Sequence, residues 1–209
     1  MKALLLNGPG QPFSIETIED PTPQKGYAVA KVLACGSGLT IQHVKAGRIT
    51  VNYPRIIGHE IIGEIVEING HGGDLEIGTP VTAFFYLTCG HCRWCNIDRE
   101  TLCDNFRGYI GREIDGGYAE YIKLPIENFI KIPEEIDYKN NLLETAVVCD
   151  AVATPLKIIK KARISSFDKV GVIGAGGGLG IHMLKMLKLN NISSIGIDTK
   201  TEKFDICNE

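Results

Sequence analysis

Residues 169–180 read Lys169-Val170-Gly171-Val172-Ile173-Gly174-Ala175-Gly176-Gly177-Gly178-Leu179-Gly180. A short β-branched strand, Lys169 to Ile173, leads into a loop made mostly of glycine, and a helix is expected from about Leu179 to Leu189. Strand, glycine loop and helix in that order open a βαβ unit. Glycines there let backbone N–H groups approach a pyrophosphate, whose charge the helix N-terminus favours. The strict G-x-G-x-x-G spacing fails, because Leu179 stands where the third glycine should be when counting starts at Gly174. Spacing by threes, Gly174, Gly177 and Gly180, is met. A second strand, Ser194 to Asp198, places Asp198 24 residues after Gly174. A carboxylate there accepts both ribose hydroxyls and repels a 2′-phosphate, which favours NAD over NADP as cofactor. The plainer readings are a flexible turn for the glycines and a strand-end or helix-cap role for Asp198.

Upstream, the first two-thirds of the chain is a series of short strands broken by Gly and Pro. Lys2 to Leu6, Tyr27 to Ala34, Ile61 to Ile68, Val81 to Phe85 and Tyr118 to Leu124 are rich in β-branched or aromatic residues. Turn signals at Pro21-Thr22-Pro23, Asn69-Gly70 and Gly116-Gly117 separate them, giving an antiparallel, barrel-like pattern. After about Leu142 the segments lengthen and mix apolar with basic residues. Thr154-Pro155 has the form of an N-cap followed by proline at the first helical position, predicting a helix to about Arg163, or one that begins earlier and kinks.

Over 209 residues, 44% apolar and 22% charged side chains match an ordinary globular protein. With 22 basic against 25 acidic residues the net charge is -3, and the longest basic stretch is Lys160-Lys161-Ala162-Arg163, so nucleic acid is not an expected partner. The N-terminal run Ala3-Leu4-Leu5-Leu6 is cut off by Gly8-Pro9-Gly10, too short for an export signal or a membrane span. A cytoplasmic protein is expected.

Four of the seven cysteines crowd into residues 89–103. Cys89-x-x-Cys92-x-x-Cys95, with Cys103 eight residues on, supplies four thiolates from one loop, and Zn²⁺ takes four sulfurs tetrahedrally at about 2.3 Å. Such a site leaves no open position, so its zinc is structural, with His91, Arg93 and Arg99 near enough in sequence to offset the excess negative charge. An iron–sulfur cluster takes the same ligand type, and unligated thiols are the bland alternative.

Gly58-His59-Glu60 and Cys149 offer an imidazole, a carboxylate and a thiolate, which read alone are a turn histidine and a buried thiol. Together with the four-cysteine loop, Asp115-Gly116-Gly117-Tyr118-Ala119-Glu120-Tyr121 and the glycine loop, they fall in the order and spacing of zinc-containing medium-chain alcohol and polyol dehydrogenases, which this sequence resembles over nearly its whole length. The resemblance implies a mixed β and α/β fold: a GroES-like β-barrel catalytic domain over residues 1–145, then the start of a Rossmann NAD-binding domain over 146–209. It also implies a homo-oligomer, and a chain shortened within the nucleotide-binding domain, since a full domain of that type has six parallel strands.

By the same resemblance Thr40 and His43 match the hydroxyl and imidazole that relay the alcohol proton, and His59, Glu60 and Cys149 match metal-associated positions for a catalytic zinc. The family's C-x-[ST]-D-x-H stretch is here Gly38-Leu39-Thr40-Ile41-Gln42-His43. Gly38 replaces the ligand cysteine and Ile41 the acidic residue behind it, while Cys35 lies three residues early. The implied activity is hydride transfer between an alcohol or carbonyl and NAD(H). A zinc-free reductase of activated double bonds, of acryloyl-CoA type, explains Gly38; a zinc-stabilised domain without enzymatic activity is the reading from another class.

Overall fold

The computed structural model describes residues 1–208, in two compact parts, the first Met1–Val147 and the second beginning at Val148.

In the first part, β1 (Lys2–Leu6), β2 (Phe13–Thr17), β3 (Tyr27–Cys35), β4 (Arg55–Ile56), β5 (Ile61–Asn69), β6 (Pro80–Ala83), β7 (Tyr121–Pro125) and β8 (Phe129–Lys131) form two antiparallel sheets. The larger has the order β7-β3-β5-β6-β8 and the smaller β2-β1-β4. β3 lies between β7 and β5, and its Ala28 and Ala30 are fully buried beside Ile61, Ile65, Val81 and Leu124. Each fully buried isoleucine contributes about 1.5–3 kcal/mol through area removed from water. The register of β3 on β5 slips between Val29 and Ala30 and again between Val32 and Ala34, bulges that sharpen the twist where the strand ends near Gly36.

The expected strand over Val81 to Phe85 is shorter in the structure, because Phe84 and Phe85 leave the ladder. A short helix, α1 (Leu39–Lys45), follows Gly38, which gives it no side-chain cap. Ile41 and Val44 anchor it by packing with Leu6, Val51 and Ile57. Another short helix, α2 (Leu142–Ala146), puts Ala146 beside Ile62 and Ile132.

The second part begins with a π-helical turn, Val148–Val152, that runs straight into α3 (Ala153–Ala162). The N-cap expected at Thr154 is therefore not one. Thr154 Oγ1 donates instead to Asp150 Oδ1 at 3.0 Å, and Pro155 sits inside a helix that started earlier, its missing N–H accommodated beside the wide turn. Next come β9 (Lys169–Ile173), α4 (Gly178–Leu189), β10 (Ser193–Ile197) and a terminal helix α5 (Phe204–Asn208). β9 and β10 pair in parallel from Lys169↔Ser193 to Ile173↔Ile197. Val172 of β9 is buried with Ile159, Ala175, Leu187 and Ile192, while its neighbour Ile173 is 85% exposed. Alternation along the strand thus leaves one sheet face covered by helix and the other open.

Candidate functional site

The four cysteines converge. Their sulfurs all lie within 4.8 Å of one another, with separations of 3.5 Å (Cys92–Cys95 and Cys89–Cys103), 3.9 Å (Cys92–Cys103) and 4.0 Å (Cys89–Cys95). A tetrahedron with metal–sulfur bonds of about 2.3 Å has sulfur–sulfur edges of about 3.8 Å, so the cage fits Zn²⁺. These distances are far too long for disulfides.

Backbone donors support the thiolate state. The N–H groups of His91 and Cys92 face the Cys89 sulfur and pull its pKa down to about 6, while those of Cys95 and Asp104 lower Cys92. Desolvation pushes Cys95 up to about 11, and it is the thiol whose proton a divalent ion would have to displace. The charges expected to offset the thiolates are partly engaged elsewhere: Arg93 pairs with Asp104 at 3.4 Å and lies over the Trp94 ring, and His91 Nδ1 is 2.6 Å from the Cys89 carbonyl.

His59 and Glu60 are buried at the entry to β5. The preceding Gly58 has φ of 100°, and the stretch from Asp115 to Tyr118 braces it from one side. Gly116 and Gly117 donate to the carbonyls of Ile56 and Gly58, Tyr118 to that of Ile57, and Asp115 pairs with Arg55 at 2.8 Å. Only glycine fits at 116, where a β-carbon would run into the Gly58 carbonyl. The Tyr118 hydroxyl donates to the Gly36 carbonyl at 3.2 Å, and burial raises its pKa. The turn carrying Gly38 is thereby held beside Glu60, yet Gly38 itself presents no donor. The thiol of Cys35 packs against Gly58 and Gly117 instead, and Ile41 is buried in apolar surroundings.

Thr40 and His43 stand three residues apart on α1, on neighbouring positions of one face. His43 Nδ1 is 2.9 Å from Arg48 Nη1. A guanidinium only donates, so Nδ1 is the acceptor and the neutral ring carries its proton on Nε2. Cys149 belongs to the π-helical turn of the second part.

The glycine loop is ordered by Asp198. One carboxylate oxygen accepts the N–H of Gly176 at 2.8 Å and the other that of Lys200 at 3.0 Å, and the Lys200 and Gly176 donors hold its pKa below the usual carboxylate range. Lys203 Nζ donates to the Gly176 carbonyl at 2.8 Å. Gly174 turns the chain with φ of 76°, Gly177 precedes the first turn of α4, and Gly180 packs tightly on the Gly174 carbonyl. Arg48 and Phe85, which touch His43 and His59, and Lys203, which holds the glycine loop at Gly176, were not legible in the sequence because no motif marks them.

Residues 24–134 match the family model of the alcohol dehydrogenase GroES-like domain. An acryloyl-coenzyme A reductase of Sulfurisphaera tokodaii is 30% identical over 99% of this chain and 61% of its own length. An alcohol dehydrogenase of Geobacillus stearothermophilus is 32% identical over 97% of this chain and 59% of its own length. The cobalt- and zinc-bound thermostable alcohol dehydrogenase from Pyrobaculum aerophilum superposes with a TM-score of 0.90 at 29% identity, over all of this chain and 63% of that one. The chain spans about 60% of the length of the curated relatives it matches. Its fold is a GroES-like β domain followed by the start of a Rossmann domain. The chain belongs to the zinc-type medium-chain dehydrogenase/reductase family, through its alcohol dehydrogenase GroES-like domain.

Proposed function

We propose that this chain forms part of an NAD(H)-linked oxidoreductase of alcohol dehydrogenase type, passing a hydride between a small alcohol or carbonyl compound and nicotinamide. The observation that carries this reading is the glycine loop between β9 and α4, tied to the carboxylate at the end of β10. Gly174, Gly177 and Gly180 leave the N-terminus of α4 open to a pyrophosphate, and Asp198 keeps lone pairs for the ribose hydroxyls.

Cys89, Cys92, Cys95 and Cys103 would hold a structural zinc that cross-links residues 89–103. Thr40 and His43 would carry the alcohol proton outward. In the relay the His43 lone pair able to accept a proton is at Nδ1, which Arg48 covers. A catalytic metal would supply a Lewis acid that lowers the alcohol's pKa. His59 and Glu60 are the residues of the first part that would serve it. Gly38 brings no donor, and the first part alone does not complete a ligand set. The protein is read as cytoplasmic and as assembling with further copies of itself; no helix among the described residues is long and apolar enough to cross a membrane.

One observation favours a second reading. Gly38 beside Glu60 suits a reductase of activated double bonds that needs no Lewis acid, and the Sulfurisphaera relative is named as such an enzyme. Zinc content and NADH titration decide. Two zinc ions per chain with NADH binding support the alcohol dehydrogenase; one zinc with NADH binding supports the reductase. One zinc without NADH binding defeats both and leaves a zinc-stabilised domain.

A further inference from the structure

We propose that the four-cysteine lobe positions His59, through a stack of aromatic rings at the base of the lobe. This rests on the reading that the four cysteines hold zinc.

The two strands of chain that enter and leave the lobe are clamped together. Leu87 donates to the Gly108 carbonyl, Arg107 to that of Leu87 and Ile110 to that of Phe85, at 2.8–3.0 Å. Buried Asn128 adds a second clamp, its Nδ2 donating to the carbonyls of Phe84 and Tyr86 at 2.6 and 2.9 Å. Tyr86 precedes Cys89 by three residues and Phe106 follows Cys103 by three, so the rings at the base are fixed by the same chain segments that carry the sulfurs.

These rings touch in sequence. Phe106 meets Tyr109 edge-on at 4.8 Å between centroids, and Tyr109 meets Tyr86 at 5.1 Å. Tyr86 lies 4.7 Å from Phe85, and Tyr109 is stacked on Phe85 at 6.4 Å. Phe85 then packs on the imidazole of His59 at 4.9 Å, tilted by 52°. Arg112 holds the Tyr109 ring with its guanidinium 4.7 Å from the centroid. Aromatic contacts of this kind contribute about 0.5–1.5 kcal/mol each beyond burial, and close packing transmits a displaced ring to its neighbours. The two-state element is the lobe, held by zinc and loosened without it. Phe85, Tyr86 and Tyr109 are therefore positioning residues for His59.

The chain has five histidines, which makes imidazole NMR a direct test. His91 reports on the lobe, His59 on the site, and His43, His71 and His182 on the rest of the fold. Two perturbations are compared with the zinc-loaded wild type: Cys103→Ser, which opens the lobe, and Tyr109→Leu, which breaks the stack and leaves the sulfurs intact. Metal content is measured in every sample. Cys103→Ser is expected to move the signals of His91 and His59 and to leave the other three in place. Tyr109→Leu is expected to move His59 while His91 and the bound zinc stay as in wild type, a result that lobe instability alone does not give. A His59 signal unmoved by Tyr109→Leu, with zinc retained, overturns the coupling and leaves the zinc assignment standing. Wild-type protein with no zinc at the four cysteines overturns the zinc assignment, and the coupling with it.

Discussion

Gly38 sits directly beside the carboxylate of Glu60: a β-carbon built on Gly38 comes 3.6 Å from Glu60 Oε2, an ordinary contact, whereas one built on Gly36 comes 2.6 Å from the same oxygen. The gap in the family's ligand set is thus a gap in chemistry, with room for a side chain at 38 and none at 36.

Gly38→Cys is accordingly expected to fold as the wild type does and to raise bound zinc above the level held by the four-cysteine loop, because a thiolate beside Glu60 adds a strong donor. Alcohol oxidation should gain little, since Ile41 offers no carboxylate to orient a ligand. Gly36→Ala, the paired control, is expected to lose about 1–3 kcal/mol of stability through overpacking against Glu60 and Val147. Metal analysis and thermal melts check both. Zinc content unchanged in Gly38→Cys would show that position 38 does not face a metal.

Cys103→Ser removes the most buried of the four sulfurs. Zinc affinity should fall by at least about 100-fold, more than a lost supporting contact alone would cost. The five-stranded sheet should survive, because its core of Ala28, Ala30, Ile61, Ile65 and Leu124 lies in strands outside the lobe. Amide exchange should therefore quicken in residues 89–105 and stay slow in β3 and β5. Wild-type zinc content in the variant would overturn the four-sulfur site.

Sequence spacing exposed what local chemistry fixes. The bounds of β1 and β9 agree with the hydrophobic pattern, and the cysteine spacing announces a cage that the structure closes. β2 and β8 are short and carry exposed residues, β4 has only two residues, and α1 starts at a glycine without a cap, so none leaves a periodic signal. Thr154-Pro155 left the helix start open between an N-cap and an earlier beginning, and the π-helical turn before it decides for the earlier one. Long-range neighbours were the hidden part. Phe85 against His59, Arg48 on His43 and Lys203 on Gly176 depend on how distant segments meet, and no spacing rule reports that.

The contact between Arg48 and His43 gives the third prediction. Because a guanidinium cannot accept, it selects the His43 tautomer protonated at Nε2. The ¹⁵N spectrum of the wild type should show that form dominant. Arg48→Leu should shift the signals toward a mixture of tautomers, with the fold unchanged. An Nδ1-protonated ring in the wild type would remove Arg48 from any account of the proton path.

The last prediction concerns Asp198, whose carboxylate order and cofactor choice share one charge. Its ordinary pKa of 3.8 is lowered in the folded chain, first by the N–H of Lys200 and then by that of Gly176, with Lys203 adding a favourable charge. A depressed carboxylate stabilises the fold fully above its ordinary value and loses that contribution as pH falls through the lowered one. The Gly176 amide signal should hence move only below the ordinary carboxylate value of 3.8, and the movement should vanish in Asp198→Ala. The same substitution removes the acceptor expected to meet the ribose. NADH binding to the chain reads out that loss. Loss of a charge-assisted hydrogen bond, about 1.5–3 kcal/mol, should weaken it by roughly tenfold or more. NADPH should lose less, because a 2′-phosphate would no longer face a carboxylate while Lys203 remains nearby to meet it. Fluorescence titration with both cofactors measures the ratio. Equal losses for NADH and NADPH would mean that Asp198 serves the loop alone, as the cap of Gly176 and Lys200, and that cofactor choice is made elsewhere.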